Sequence, residues 1–299
     1  MRVGILGGGR WGQALARLAL AAGSEPLIGY HDERPPHVLP STPRPKEVSE
    51  SCDLLIVATS AALVPEALAL AKPGPGNRVV VAGRGLDPKS GRWLTEVVLD
   101  SCDAVRVGAL AGPAPVDEIL NGGLCAGVIA SPFDDVRKML VAAFHSPRYR
   151  VYESTDLVGV QFAGAFVPVL ATVIGMTRSL KGAGVGIHAL VLSRGLEEGG
   201  RLLRALGGDP ATLSGLCGVG DLVASQTASD HPHFRAGKAL AMGNRTEGPR
   251  GTAEALLARA SELGVEMPLL ESIVSIWAGS DPIDTLGQLM GRESVPERR

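Results

Sequence analysis

The sequence contains little cysteine and no excess of charge of either sign. Its 299 residues include four cysteines, and 29 basic side chains are balanced by 31 acidic ones, for a net charge of −2. The cysteines are scattered and form no C-x-x-C pair, which argues against a disulfide framework or a zinc site and favours reduced thiols in the cytoplasm. Without a basic excess or a known nucleic-acid motif, nucleic acid is not an expected partner.

Two apolar segments bear on membrane association. The first strand-like segment begins almost at Met1, so we expect no signal segment ahead of it. The segment 157–176 carries no formal charge and is as long as a membrane helix. It contains Gln161 and Pro168, lacks flanking aromatic belts and is followed by charged, amphipathic segments. We therefore interpret it as the buried helix of a helical domain and expect no membrane span.

The first half of the chain alternates short apolar segments with helical ones. Continuous apolar strands separated by helices predict a parallel sheet covered on both faces, the doubly wound α/β plan of Rossmann-type domains. Ligands of such sheets bind beyond the carboxyl ends of the strands. Strands are predicted at 2–6, 26–30, 54–58, 78–82, 105–110 and 126–130, and helices near 10–22, 64–71 and 92–99.

From about Thr155 onwards helical periodicity replaces the strands. One helix is predicted over 189–206, with Glu197 and Glu198 spaced for ion pairs with arginines three and four residues later. Another is predicted over 253–263, with Thr252 as its cap. The apolar faces of these helices are compatible with a homodimer.

A chain of this length is expected to form two domains. We predict an α/β Rossmann-type doubly wound domain over residues 1–150, which binds a dinucleotide, followed by an all-α C-terminal domain over 151–299. The polar stretch 145–148 marks the predicted boundary.

The first strand runs directly into the pattern G-x-G-x-x-G. Gly7 permits the tight turn, Gly9 lets the backbone approach a pyrophosphate, and Gly12 lets the following helix pack closely, with free N–H groups at its start. Such a motif is weak alone, but here a strand precedes it, a helix follows, and an acidic residue lies about twenty positions on. We predict a dinucleotide site here and assign Arg10 and Trp11 to it as well.

That acidic residue is Asp32, which follows the second predicted strand. A carboxylate at this place accepts hydrogen bonds from the ribose hydroxyls and repels a 2′-phosphate, which favours NAD over NADP. Arg34 in the same turn could instead pair with a 2′-phosphate, so NADP stays open. A solvated charged turn is the alternative interpretation of Asp32.

With these segments in order, the chain from residue 1 to about 290 resembles the NAD(P)-dependent glycerol-3-phosphate dehydrogenase family. The resemblance implies hydride transfer between C4 of nicotinamide and C2 of glycerol 3-phosphate or dihydroxyacetone phosphate, and therefore a small-molecule substrate. It is carried by GGGRWGQALA at 7–16, Gly112-Pro113 with Glu118, TDLVGV at 155–160, RGL at 194–196, GVGDLV at 218–223, Glu247-Gly248 and LGVEMP at 263–268.

The resemblance also implies roles for individual residues. It places Arg194 near the cofactor and Glu247 in contact with it. Asp221 matches the family's carboxylate in the Gly-Asp-Leu turn, and Ser225 stands where the family has threonine. A helix cap is the alternative interpretation of Asp221.

Several positions depart from the family's pattern. The family's lysine in G-A-L-K-N, whose charge faces the developing alkoxide, falls on Val167, which is followed by Pro168. A second family lysine falls on Arg84, which keeps the charge but does not readily give up a proton. The Arg-Asn pair that binds the substrate phosphate in the family falls on Pro232 and His233.

The histidines of the second half could supply a new acid–base group near neutral pH. His231, His233 and His188 form this candidate cluster, although His231 and His233 could also be solvated loop residues. We select Arg84, Asp221, Ser225 and His233 as the candidate catalytic residues.

Three functions stay open at this point. The first is a glycerol-3-phosphate dehydrogenase in which Lys181, Arg178 or Arg235 reaches the substrate. The second is a dehydrogenase or reductase of a different, phosphate-free substrate. The third is a sensor or partner subunit that binds a dinucleotide without turnover. The prediction common to the first two is an NAD(P)-dependent oxidoreductase of this family.

Overall fold

The computed structural model describes residues 1–31, 39–227, 231–245 and 248–292, which fold into an eight-stranded sheet followed by helices. The strands are β1 (Arg2–Leu6), β2 (Glu25–Gly29), β3 (Ser41–Thr42), β4 (Leu54–Val57), β5 (Arg78–Val81), β6 (Arg106–Ala111), β7 (Cys125–Ala130) and β8 (Tyr149–Ser154).

Helices cover the sheet and make up the second half of the chain. Those of the first half are α1 (Arg10–Ala21), α2 (Pro45–Ser51), α3 (Val64–Ala71), α4 (Leu94–Ser101), α5 (Val116–Leu120) and α6 (Asp134–Phe144). Those of the second half are α7 (Leu157–Thr177), α8 (Val185–Ala205), α9 (Ala211–Ser214), α10 (Asp221–Thr227), α11 (Pro232–Ala241), α12 (Arg250–Glu262), α13 (Pro268–Ala278) and α14 (Pro282–Met290).

The strand order is β3-β2-β1-β4-β5-β6-β7-β8. The chain builds outward from β1 in one direction and then returns to add β4 on the other side, and β1 pairs in parallel with both β2 and β4. This reversal of strand order opens a crevice at the carboxyl ends of β1 and β4. The doubly wound α/β domain and the helical second half are therefore confirmed.

One pairing departs from the predicted parallel sheet, since β6 and β7 are antiparallel. A connection over 112–124 that contains only the five-residue helix α5 joins the two strands. The apolar pattern did not reveal the change of direction because it reports that both faces of a strand are buried, which holds for either direction.

The sheet extends beyond the polar stretch 145–148. That stretch is a tight turn between α6 and β8, in which the Tyr149 N–H donates to the Ser146 carbonyl at 3.2 Å. β8 then pairs in parallel with β7 up to Ser154. On this basis we propose that the domain boundary lies between Ser154 and Leu157, where α7 begins.

α7 is the central helix of the second half. It is long and apolar enough to cross a membrane, but 83% of its most apolar 18-residue stretch is buried inside the protein. α8, α10, α11 and α12 all pack against it, and it runs without interruption through Pro168. The contact with α11 is close, because a Cβ on Gly237 would lie 2.1 Å from the Thr172 carbonyl oxygen. The segment is a buried helix, as interpreted.

Two details of the helical predictions are wrong. α12 begins at Arg250 with Pro249 before it, so Thr252 lies within the first turn and is not the cap. Glu198 is 4% exposed and does not take part in a surface ion pair. Its carboxylate instead accepts the Leu269 N–H at 2.9 Å, at the start of α13. The spacing of the charges along the helix could not show whether this carboxylate lies at the surface or is buried at the start of α13.

Candidate active site

The glycine-rich turn lies at the carboxyl end of β1, in the crevice where the strand order reverses. Gly7 has a φ of 128°, a region that favours glycine, and a Cβ there would lie 2.7 Å from the Ala58 carbonyl oxygen. A Cβ on Gly12 would lie 2.0 Å from the Gly7 carbonyl oxygen. Gly9 precedes α1, whose first turn has no acidic residue and no side-chain cap. The N–H groups of this helix start are therefore available to an anion.

A cavity of about 420 Å³ opens over this turn. The turn 7–9 lines one side, while Thr59, Glu66 and Leu70 belong to the other. The Thr59 hydroxyl is buried and has no hydrogen-bond partner among the described residues. Free backbone donors, an unpaired hydroxyl and apolar walls fit a dinucleotide with its pyrophosphate at the turn. No motif in the sequence identified Thr59 or Glu66 as residues of this cavity.

Two predicted cofactor residues on α1 make contacts within the protein. The Trp11 indole N–H donates to the Ala82 carbonyl at 2.8 Å and so ties α1 to the end of β5. Arg10, the first residue of α1, forms an exposed ion pair with Asp117. Both residues border the glycine-rich turn, and a direct role for either in binding the cofactor stays a prediction.

The other predicted cofactor residues lie elsewhere. Arg194 is on α8 and forms an ion pair with Glu197 at 2.8 Å. Asp32 and Glu247 lie outside the described residues. The choice between NAD and NADP, which the sequence analysis based on Asp32, therefore stays open.

A bidentate ion pair joins the end of β5 to the start of α10. The Arg84 Nη1 donates to Asp221 Oδ2 at 2.6 Å, and Nη2 donates to Asp221 Oδ1 at 2.9 Å. Nη2 also donates to the Gly112 carbonyl at 3.3 Å. The Asp221 side chain is 3% exposed and that of Arg84 is 35% exposed. Burial lowers the pKa of Arg84, but the Asp221 carboxylate outweighs this and leaves the pKa raised. Arg84 is therefore a fixed cation and not a proton carrier.

The remaining candidates follow from Asp221 along the chain. The Ser225 hydroxyl donates to the Asp221 backbone carbonyl at 2.8 Å and lies 3.5 Å from His231 Nε2. The His231 and His233 rings are 5.2 Å apart between centroids. The structure thus brings the four selected residues together and adds His231 as a member of the group. His188 lies on the first turn of α8.

Both histidines of this group are held neutral. Burial and the charge of Arg84 lower the pKa of His233 to about 3. The same two causes lower the pKa of His231, although Asp221 partly opposes them. His231 Nδ1 is buried and has no hydrogen-bond partner among the described residues. Neither histidine is therefore fully solvated, although His231 precedes α11. A catalytic role for His233 stays a prediction.

Val167 lies in α7 and is fully buried. It belongs to the apolar core that joins α7 to the sheet, together with Ala109 of β6 and Ala130 of β7. Pro232 occupies the first turn of α11, where a proline is well tolerated because its missing N–H has no helical partner. Neither position carries a charge, so the site has no counterpart of the lysine and arginine that the family resemblance implies there.

Comparisons with known proteins identify relatives that cover both halves of the chain. The family models for the N-terminus and the C-terminus of NAD-dependent glycerol-3-phosphate dehydrogenase match residues 31–136 and 156–288. Glycerol-3-phosphate dehydrogenase (NAD(P)+) of Thioalkalivibrio sulfidiphilus is 33% identical, covering 99% of this chain and 98% of that protein. The enzyme of the same name from Sinorhizobium fredii is 37% identical, covering 75% of this chain and 69% of that protein.

Similarity extends to solved structures. The crystal structure of glycerol-3-phosphate dehydrogenase from Coxiella burnetii matches with a TM-score of 0.87 at 27% identity, covering 97% of this chain and 99% of that one. Both halves of the chain and their order are therefore shared with these proteins. The chain belongs to the NAD-dependent glycerol-3-phosphate dehydrogenase family.

Proposed function

We propose that this protein is an NAD(P)-dependent oxidoreductase that transfers a hydride between nicotinamide and the carbinol carbon of a small hydroxy or keto substrate. The Arg84–Asp221 ion pair is the observation that carries the proposal. It lies beyond the carboxyl end of β5, at the same edge of the sheet as the glycine-rich turn after β1. A bound dinucleotide and the charged group therefore share one edge, as hydride transfer requires.

Arg84 supports the substrate oxygen in this proposal. A guanidinium has five N–H donors, and three of them bond to Asp221 and Gly112. The other two can donate to an oxygen on which negative charge develops during hydride transfer. Asp221 fixes the direction of the guanidinium, and Ser225 is a positioning residue that links Asp221 to His231.

His233 carries the proton. In alcohol oxidation a bound oxidised nicotinamide would accept the hydride of the carbinol carbon, and an imidazole nitrogen of His233 would accept the hydroxyl proton. Burial and the charge of Arg84 lower the pKa of His233 to about 3. The imidazole is therefore unprotonated at neutral pH and can accept a proton, although it is a weak base. Ketone reduction consumes one proton, so its equilibrium shifts towards the alcohol as the pH falls.

Two substrates are candidates. The names of the relatives point to glycerol 3-phosphate and dihydroxyacetone phosphate. The uncharged Val167 and Pro232 instead favour a phosphate-free hydroxy or keto compound. A dinucleotide-binding protein without turnover is the alternative from another class.

We also propose a cytoplasmic location and a homodimer. The location is supported by four cysteines that all lack a disulfide partner. The homodimer rests on the apolar helices of the second half. Light scattering on the purified protein tests it, with a dimeric mass as the expected result and a monomeric mass as the contrary one.

The test of the proposed function is isotope transfer. NADH with deuterium at C4 is incubated with the protein and each candidate ketone, and the product alcohol is examined by mass spectrometry. We expect deuterium on the carbinol carbon of one product. Protein that binds NADH, measured by nicotinamide fluorescence, but labels no product would contradict the proposal and favour a binding protein without turnover.

A further inference from the structure

The group formed by Arg84, Asp221, Ser225, His231 and His233 has no uncompensated positive charge of its own. Both Asp221 oxygens are bonded to the Arg84 guanidinium, so this pair is neutral overall. His231 and His233 have lowered pKa values and are neutral as well. Ser225 completes the group with a buried hydroxyl. Five polar side chains thus meet with a net charge of zero.

Arg84 is the only described cation whose charge acts on the pKa of His231 or His233. The described residues Arg178 and Arg194 contact other groups. The Arg178 guanidinium lies 5.0 Å from the centroid of the Phe234 ring and donates to the Gln226 carbonyl at 3.4 Å. Arg194 pairs with Glu197. The Val167 side chain is part of the apolar core and leaves no room for a charge there.

A phosphate group needs more positive charge than this site provides. Phosphate carries up to two negative charges, and proteins compensate them with arginine, lysine or helix N-termini. The start of α11 supplies the equivalent of only about half an elementary charge. Its first-turn Pro232 also lacks one of the N–H donors. A doubly charged phosphate bound here would lose hydration free energy that the protein's hydrogen bonds and charges would not replace.

We propose that the substrate of this site is an uncharged hydroxyketone or polyol, without a phosphate or carboxylate group. Neutral imidazoles and a hydroxyl both donate and accept hydrogen bonds, which suits the recognition of neighbouring hydroxyl groups. The Arg84–Asp221 pair presents two further donors without adding net charge. The inference rests on the proposed function and specifies the class of compound that the site takes.

Calorimetric titration of inorganic phosphate into the NADH-loaded protein tests the charge of the site. We expect no measurable binding to the wild type at millimolar phosphate. Asp221→Asn keeps the shape of the side chain but leaves Arg84 as a free cation, so phosphate should bind at least about tenfold more tightly. The double variant Arg84→Gln/Asp221→Asn removes both charges and should return to the behaviour of the wild type.

Asp135→Asn is the matched control. Asp135 accepts hydrogen bonds from Arg78 and Arg106, each at 2.9 Å, at the opposite edge of the sheet where β5 and β6 begin. The same chemical change there also frees arginines, but outside the proposed site. We expect the phosphate affinity of this variant to match that of the wild type, and melting curves verify that every variant is folded.

Phosphate that binds the wild type as tightly as it binds Asp221→Asn would overturn the inference. Tight binding by Asp135→Asn that equals that of Asp221→Asn would also overturn it, because the effect would then be non-specific. The titration reads the charge of the site whether or not hydride is transferred. Failure of the proposed function would instead be seen as the absence of deuterium transfer to every ketone.

Discussion

The cofactor crevice and the Arg84–Asp221 group lie at the same edge of one sheet but are built from different parts of the chain. Backbone atoms dominate the crevice, where Gly7 and Gly12 are fixed by contacts of less than 3 Å that any Cβ would make. Side chains dominate the second group, where charge and protonation decide what can bind. A site made of backbone has few alternatives once the fold exists, whereas a site made of side chains can change its chemistry within the same fold.

The largest expected effect belongs to the side-chain group. His233→Gln removes the proposed proton carrier while keeping a polar side chain of similar size. We expect kcat to fall by about 10²- to 10⁴-fold, the usual contribution of general acid–base catalysis, with unchanged NADH affinity. Steady-state kinetics and NADH fluorescence measure the two quantities. His145→Gln is the control, because the exposed His145 accepts the Val151 N–H at the far edge of the sheet, and kcat should be almost unchanged. An equal loss in both variants would remove His233 from the mechanism.

The second-largest expected effect tests the cofactor crevice without changing the side-chain group. Gly12→Ala places a Cβ 2.0 Å from the Gly7 carbonyl oxygen, so α1 must move away from the turn. We expect the NADH dissociation constant to rise by about 100-fold. Gly251→Ala is the matched control, because that helical glycine has open space around its Cβ position. Unchanged NADH affinity in Gly12→Ala would place the pyrophosphate elsewhere.

A smaller effect concerns stability. Arg84→Gln leaves the buried Asp221 carboxylate without its partner, and we expect a loss of about 2 kcal/mol in the free energy of unfolding. This is less than for a fully buried pair, because the Arg84 side chain is 35% exposed and partly screened by solvent. Adding Asp221→Asn to Arg84→Gln should recover most of the loss in urea unfolding. An additive loss would mean that the two residues do not stabilise each other.

The smallest expected effect concerns Glu198 of the helical half, which belongs to neither of the two regions compared above. Burial raises the pKa of Glu198 to about 7, although the Leu269 and Leu270 N–H groups oppose this. The folded protein therefore holds a proton that the unfolded chain releases between its ordinary pKa of 4.5 and about 7. Stability should fall as the pH rises through this window. Glu198→Gln cannot titrate, so its melting temperature should fall less between pH 5 and pH 8. Parallel curves for the two proteins would contradict this.

The fold was predictable wherever burial alone decides the element. The predicted bounds of β1 and α3 agree with the structure, since their apolar residues are buried in the pattern that each element requires. β7 was predicted as a strand, but its antiparallel direction was missed, because direction leaves no mark on a strand buried on both faces. The edge strand β8 was missed because its alternate residues are exposed.

The sequence predicted the cofactor crevice better than it predicted the side-chain group around Arg84. The glycine spacing located the crevice, because Gly7 and Gly12 are required by sterics and steric requirements appear in the sequence itself. Resemblance named Arg84 and Asp221, but the sequence did not indicate that the two bond to each other across 137 positions. Nor could it show that His233 is neutral, since that depends on its burial beside Arg84.

The central claim is that the chain keeps its cofactor crevice and has lost the charge for a phosphorylated substrate. The most direct test is the ratio of kcat/KM for dihydroxyacetone to that for dihydroxyacetone phosphate, measured by NADH oxidation with the wild-type protein. The account predicts that the ratio exceeds one, together with ordinary NADH binding. A ratio well below one would contradict it and would mean that the neutral site still binds a phosphate group.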